Sequence, residues 1–208
     1  MKGLGAVIVA GYTGRDRAHV LEHIEELAAI GVPRPEAIPA YFVLPPWLAT
    51  TDAEIVVAGD QTSGEAEVCL LVDGDDVRVT LASDHTDRAA ETLDIGMSKG
   101  VCPKPIATES WPLADVDGRW DDLVLRSWIT VDGDEVPYQD GRCADLTPPP
   151  ELLAGAPGLD VDRFALLTGT VPVIGGIRPA DAFRAELHDP ARDRSIHLAY
   201  ATTPLRRT

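Results

Sequence analysis

An α+β fold in which strands predominate is the class that three features of this sequence predict. Two apolar runs, Val68–Val72 and Val77–Leu81, flank the turn residues Asp73-Gly74-Asp75-Asp76 and read as an antiparallel hairpin. Beyond Leu123 the chain repeats short alternating runs broken by Asp-Gly and Gly-Gly turns. Helical periodicity is confined to residues 16–30 and a short stretch after Thr147.

Taken in order, Leu4 to Ala10 is a buried-strand pattern closed by Gly11. Asp16 is placed to cap a helix that runs to about Ile30, with Val20, Ile24, Leu27 and Ala28 as its apolar stripe. Its polar face gathers His19, Glu22, His23 and Glu26; His23 and Glu26 are three apart and can touch. That face is either solvated or an imidazole oriented by a carboxylate, the arrangement of a general base.

The segment from Pro33 to Trp47 carries five prolines and predicts a largely extended or looped spacer. Glu54 to Ala58 reads as a strand leading toward the hairpin. After it come the polar turn His85-Thr86-Asp87-Arg88, the basic Ser98-Lys99-Gly100, and Lys104. In the second half, Leu123–Val131 and Val136–Arg142 form a hairpin that carries Gln139, and Thr147 is predicted to cap a helix over 148–154. Phe164–Leu167 enters Thr168-Gly169-Thr170 and then Val171–Ile174, a run broken by Gly175-Gly176, and Phe183–Leu187 and Ser195–Ala199 close the pattern.

The chain has 208 residues, enough for one sizeable core, and no linker or repeat divides it, so a single domain over 1–208 is expected. Its 18 Lys and Arg stand against 34 Asp and Glu, a net charge of −16. A surface of that sign repels phosphate backbones and anionic lipid, which argues against nucleic-acid and membrane partners. No apolar run approaches a membrane span or a signal peptide, so a cytoplasmic location is expected. Cys69, Cys102 and Cys143 are widely spaced and suggest buried thiols, neither a disulfide framework nor a zinc site.

The hairpin carries the strongest chemical signal. Glu65 and Glu67, two apart, share one face of a strand. A turn centred between Gly74 and Asp75 sets Glu65 opposite Asp84 and Glu67 opposite Ala82, and directly opposite Cβ atoms lie roughly 4.5–5.5 Å apart. Three carboxylates then converge at the hairpin's open end, unless a three-residue loop shifts the register. Such a cluster is compensated by an extra proton, by a neighbouring Arg or Lys, or by a divalent cation. An all-oxygen donor set suits Mg²⁺, Mn²⁺ or Ca²⁺. An exposed acidic rim is the alternative.

Six segments together resemble the fumarylacetoacetate hydrolase family, closest to an uncharacterised bacterial subgroup of it. Gly11-Tyr12-Thr13 with His23-Ile24-Glu25-Glu26 is similar to its G-x-N-Y and H-x-x-E segments, and Glu65-Ala66-Glu67 to its E-x-E strand. Asp84-His85-Thr86-Asp87-Arg88 resembles its D-x-(S/T)-x-R, and Ser98-Lys99 its lysine motif. Val131-Asp132-Gly133 with Tyr138-Gln139, and Thr168-Gly169-Thr170-Val171-Pro172, resemble its V-N-G…R-Q hairpin and T-G-T-P loop. The resemblance implies a mixed β-roll or distorted barrel and a Mg²⁺- or Mn²⁺-dependent hydrolase or lyase. Such an enzyme cleaves a C–C bond of a small β-dicarbonyl or 2-oxo acid, such as an acylpyruvate or oxaloacetate. Alternatives are a hydratase or isomerase of related oxo acids, or a non-catalytic binder with the same fold.

The same resemblance assigns Glu65, Glu67 and Asp84 to the metal. It makes His23, Glu26 and Lys99 catalytic, with His19 and Glu22 as competitors for the dyad, and places Arg88, Gln139 and Thr170 against substrate. It also implies a homodimer. The chain departs from the pattern in having Glu91 where a glutamine is usual, Ser98 where a glycine is, and a shortened spacer before Lys99.

Overall fold

The computed structural model describes residues 3–29 and 33–205. In chain order these form β1 (Ala6–Gly11), α1 (Arg17–Ala29), β2 (Ala40–Leu44), β3 (Ala49–Thr50), β4 (Glu54–Val57), β5 (Thr62–Ser63), β6 (Ala66–Asp73) and β7 (Asp76–Ser83). There follow β8 (Thr86–Asp87), α2 (Arg88–Glu91), α3 (Ile95–Gly100), β9 (Lys104–Pro105) and β10 (Trp111–Pro112). The remainder is β11 (Val124–Val131), β12 (Asp134–Arg142), α4 (Pro149–Gly155), β13 (Arg163–Thr170), β14 (Ala182–Asp189) and β15 (Arg194–Pro204). The α+β, mostly β class read from the sequence is the one found.

Two sheets dominate. One has the order β10-β7-β6-β13-β1-β2, the other β12-β11-β14-β15-β4. β13 lies between β1, which it pairs in parallel, and β6, which it pairs antiparallel. The ends of β1 and β13, the start of β6 and the end of β7 therefore meet at one edge of the first sheet. Period-two alternation divides the apolar side chains of this sheet between its faces. Ile8, Val68, Leu70, Leu81 and Leu166 pack with Ile129, Phe183, Ala185 and Tyr200 of the second sheet. On the other face Val7, Val9, Cys69, Ala82 and Leu167 pack with Leu44 and Ile106. Each such aliphatic side chain contributes roughly 1.5–3 kcal/mol on burial. Both faces of β6 are covered over its first five residues, so Glu67 is buried, whereas Asp73 at the turn is exposed.

The hairpin register is the predicted one: Ala66 pairs with Ser83, Glu67 with Ala82 and Asp73 with Asp76, around a two-residue turn in which Gly74 has φ 57°. Asp84 N–H donates to Glu65 O at 3.0 Å, extending the ladder by one pair. Asp16 caps α1 as expected, accepting from Ala18 N (3.0 Å) and His19 N (3.2 Å). Val20 and Ile24 are buried on that helix.

Three expectations need correction. The proline-rich segment contains β2, which pairs with β1 along its length; Pro39 and Pro45 flank Ala40–Leu44, so no proline interrupts the ladder. Thr147 does not cap α4: its Oγ1 donates to Thr13 O at 2.7 Å, and Pro148 occupies the cap. The run from Phe164 is a strand only as far as Thr170, and Val171–Ile174 is irregular apart from an isolated bridge between Gln139 and Val173. Among the described residues, no helix is long and apolar enough to cross a membrane.

Candidate functional site

At the shared edge of β1, β13, β6 and β7 the sequence places charge, and the fold buries it. Asp84 is fully buried and Glu67 is 3% exposed. Lys99, on the last turn of α3, forms an ion pair with Asp84 Oδ2, and Lys104 Nζ stands 3.2 Å from Asp84 Oδ1. The helix reaches this position because Asp94 caps it, accepting from Met97 N at 2.7 Å. Glu67 Oε2 accepts from Gly169 N at 2.7 Å. Glu65 Oε2 lies 3.1 Å from Arg88 Nη2, while Arg88 Nη1 donates to Glu91 Oε2 at 2.9 Å and Nε to Ser63 Oγ at 2.7 Å.

These contacts set the charge states. Burial pushes Glu67 well above the usual carboxylate range and Asp84 adds to the shift; Lys99 and the Gly169 N–H oppose it. Burial works against ionised Asp84 as well, yet Lys99 and Lys104 outweigh it and hold Asp84 below its ordinary value. For Lys99, burial favours the neutral amine, but Asp84, Glu65 and Glu67 together raise the ammonium above its ordinary value. Lys104 is lowered, by burial first, with Asp84 opposing.

Gly169 makes this arrangement possible. It has φ 91°, and a Cβ there would meet Thr13 Oγ1 at 1.8 Å. Only glycine brings the β13 backbone against Thr13 while aiming its N–H at Glu67. Gln139 and Thr170 lie beside the cluster and are tied into the framework. Gln139 Oε1 accepts from Ala66 N (2.8 Å) and Ser127 Oγ (2.7 Å), and its Nε2 donates to Thr170 Oγ1 (2.6 Å) and Val171 O (2.8 Å). Thr170 Oγ1 donates to Ala66 O at 2.6 Å. These hydrogen bonds lock the base of the second hairpin onto the start of β6.

The fold thus brings together Glu65, Glu67, Asp84, Arg88 and Lys99, with Gln139 and Thr170 behind them. The dyad is a separate matter. Glu26 is exposed on α1, and the side chain of His23 lies outside the described residues. His19 and Glu22, the competing pair, are 4.0 Å apart with side chains 73% and 80% exposed.

Sequence reasoning missed three features. His85, next to Asp84, is buried with Nδ1 2.9 Å from Tyr200 Oη and Nε2 2.9 Å from Thr62 Oγ1, which joins the cluster to the second sheet. Lys104 is buried, not solvent-facing. Tyr12 has φ 59°, and its phenol, partly buried, is raised by burial and then by Glu91, with Lys99 opposing. A positive φ in a tyrosine leaves no mark on hydropathy, and isolated His and Lys residues carry no periodic signal.

The donor chemistry fits a hard cation. Three carboxylates converge, and Asp84 Oδ1 is buried without a hydrogen-bond partner. Among the described residues no group of three His, Cys, Asp or Glu side chains is arranged as a ready ligand set; Lys99, Arg88 and the Gly169 N–H each hold one of the three carboxylates.

A family profile described as "Protein of unknown function (DUF2848)" matches residues 10–200. No curated protein matches the sequence. Among solved structures, a yeast fumarylacetoacetate hydrolase family protein, ynq8, is 18% identical with a TM-score of 0.65, over 99% of this chain and 95% of that one. 2-Keto-3-deoxy-D-arabinonate dehydratase complexed with magnesium and 2,5-dioxopentanoate is 16% identical with a TM-score of 0.68, over 98% and 74% of the two chains. Maleylpyruvate hydrolase from Sphingobium sp. SYK-6, in complex with manganese(II) and pyruvate, is 14% identical with a TM-score of 0.63, over 97% and 71%.

Proposed function

The chain belongs to the DUF2848 family and has the fumarylacetoacetate hydrolase fold, and from that premise we propose that it is a divalent-cation-dependent hydrolase or lyase of a small oxo acid or diketone. The observation that carries the reading is the pair of buried carboxylates, Glu67 and Asp84, with Lys99, Arg88 and the half-buried Glu65 beside them, at the edge where four strands end. The same fold holds magnesium or manganese with a small oxo compound in two of the similar structures.

Glu65, Glu67 and Asp84 would hold Mg²⁺ or Mn²⁺. When bound, such an ion polarises a carbonyl oxygen and stabilises negative charge that develops on it. Lys99, kept charged by the surrounding carboxylates, donates to an oxyanion or carboxylate of the substrate. Arg88, ion-paired with Glu65 and Glu91 in the fold, would supply a second positive group for the same anion. Gln139 and Thr170 line the site by holding the backbone of Ala66 in place. His23 with Glu26 is retained as the activator of water. The protein acts as a homodimer, which light scattering checks.

The tests are direct. Mn²⁺ should raise the melting temperature of the wild type and have no effect on Glu67→Gln; a shift that survives the substitution overturns the metal assignment. An ultraviolet screen of acylpyruvates, oxaloacetate and fumarylacetoacetate-like diketones should find turnover by the Mn²⁺-loaded protein. Inactivity on all of them with metal bound favours a binder. Loss of hydrolysis without loss of decarboxylation in His23→Ala is the outcome expected for the dyad.

A further inference from the structure

Lys104 lies five residues beyond Lys99 in the chain, on the two-residue strand β9, and is fully buried. Burying an ammonium is unfavourable by several kcal/mol unless its protons are all received. Here they are. Nζ donates to the carbonyl oxygens of His85, Lys99 (2.6 Å) and Cys102 (3.2 Å). An ammonium has three N–H groups and no lone pair; a neutral amine would turn its lone pair against one of these carbonyls. The three acceptors therefore specify the charged form by geometry.

The acceptors belong to two separate stretches of backbone. His85 follows Asp84 at the end of β7, whereas Lys99 and Cys102 lie on α3 and its exit. One side chain thus fastens the strand end that presents Asp84 to the helix end that presents Lys99. Its charge also lies 3.2 Å from Asp84 Oδ1, the oxygen that Lys99 does not touch. With all three protons directed at carbonyls, that oxygen keeps its lone pairs free of hydrogen bonds. A residue needed only to fill space between Cys102 and Ile106, both buried and apolar, would be apolar itself.

We propose that Lys104 is a positioning residue of the site: its ammonium fixes Lys99 relative to Asp84, and through Lys99 the place where the anionic end of the substrate is received. This rests on the reading of Asp84 and Lys99 as members of the site.

The experiment is a double-mutant cycle on the full chain. Pyruvate, the smallest 2-oxo acid, is titrated calorimetrically into the Mn²⁺-loaded wild type, Lys104→Met, Lys99→Met and the double variant, each checked for a cooperative melt. Lys104→Met should weaken pyruvate binding by about tenfold or more, and the double variant should bind within about twofold of Lys99→Met, because Lys104 acts through Lys99. Binding by Lys104→Met within twofold of wild type, or losses that multiply in the double variant, overturns the proposal. If Lys104→Met does not fold, Lys104→Gln, which keeps two N–H donors without the charge, replaces it in the cycle. Failure of both to fold makes Lys104 a residue of stability alone and also overturns it. A wild type that binds neither Mn²⁺ nor pyruvate removes the site reading itself, and this proposal with it; a binding wild type with an unaffected Lys104 variant removes only this proposal.

Discussion

The hairpins β6–β7 and β11–β12 are built alike and use charge in opposite ways. Each turns through two residues with a glycine in the left-handed region, Gly74 at φ 57° and Gly133 at φ 88°. The strands are of similar length, and each hairpin is joined to a neighbouring antiparallel strand. In β11–β12 the charged side chains face water: Arg126 meets Asp140 at 3.2 Å with the pair 38% and 62% exposed, and Arg184 of β14 meets Glu135 at 2.7 Å. In β6–β7 Asp73 and Asp76 at the turn are exposed, while the charges at the open end are closed over by β13, α3 and β9. The lesson is that what a carboxylate is worth is decided by what covers it, not by the hairpin that presents it.

Removing a charge from the covered end should have the largest effect. Asp84→Ala leaves Lys99 and Lys104 buried without their counter-ion, and a loss of about 3–5 kcal/mol is expected from urea denaturation. A loss below about 1 kcal/mol would make the two hairpins equivalent. Next comes the cover itself. Gly169→Ala combines a positive φ with a Cβ driven into Thr13 and should cost about 2–4 kcal/mol. Gly133→Ala, with nothing within 4 Å of the added carbon, should cost only about 1–2 kcal/mol. Equal losses at the two glycines would show that the contact with Thr13 yields freely.

The third effect is on pH dependence. Burial, then Lys104 and Arg88, hold the His85 imidazole down at about 3. An unfolded imidazole titrates near ~6.5, so below that pH the unfolded chain takes up a proton that the folded chain refuses. Stability from this group is complete above ~6.5 and is lost as pH falls toward about 3, at up to ~1.4 kcal/mol per unit. Glu67, raised in the fold, works in the opposite direction: its contribution is complete below the ordinary carboxylate value and is lost as pH rises above it. The difference between wild type and His85→Gln isolates the imidazole, and an unchanged slope would show that it is not shielded. The smallest effect belongs to the exposed pair: Glu135→Gln should leave the urea midpoint essentially unchanged.

How much of this was legible in the sequence follows the same division. The pairing of Glu67 with Ala82 could be read because Asp-Gly turns fix register locally. The burial of Asp84 could not, since β13, which brings the Gly169 N–H to Glu67, comes from about a hundred residues downstream. β2 was hidden because prolines at both its ends gave the look of a spacer. Thr147 was misread as a cap because a threonine before prolines has the right local chemistry, while its hydroxyl is claimed by Thr13, far away in sequence. Lys104 carried no signal beyond its charge; its role lies in three carbonyls that only the folded backbone brings together.

The position of β13 between β1 and β6 bears on how the chain is made. Until residues 163–170 have been synthesised, β1 and β6 each present an unpaired apolar edge, and the two are separated by a gap that only this late segment fills. Local hairpins can form early, but closing the first sheet must await a contact between residues 7 and 165, which is slow for reasons of loop entropy. A nascent chain stalled before β13 is therefore exposed to aggregation, and the Gly169 N–H cannot reach Glu67 until this segment arrives.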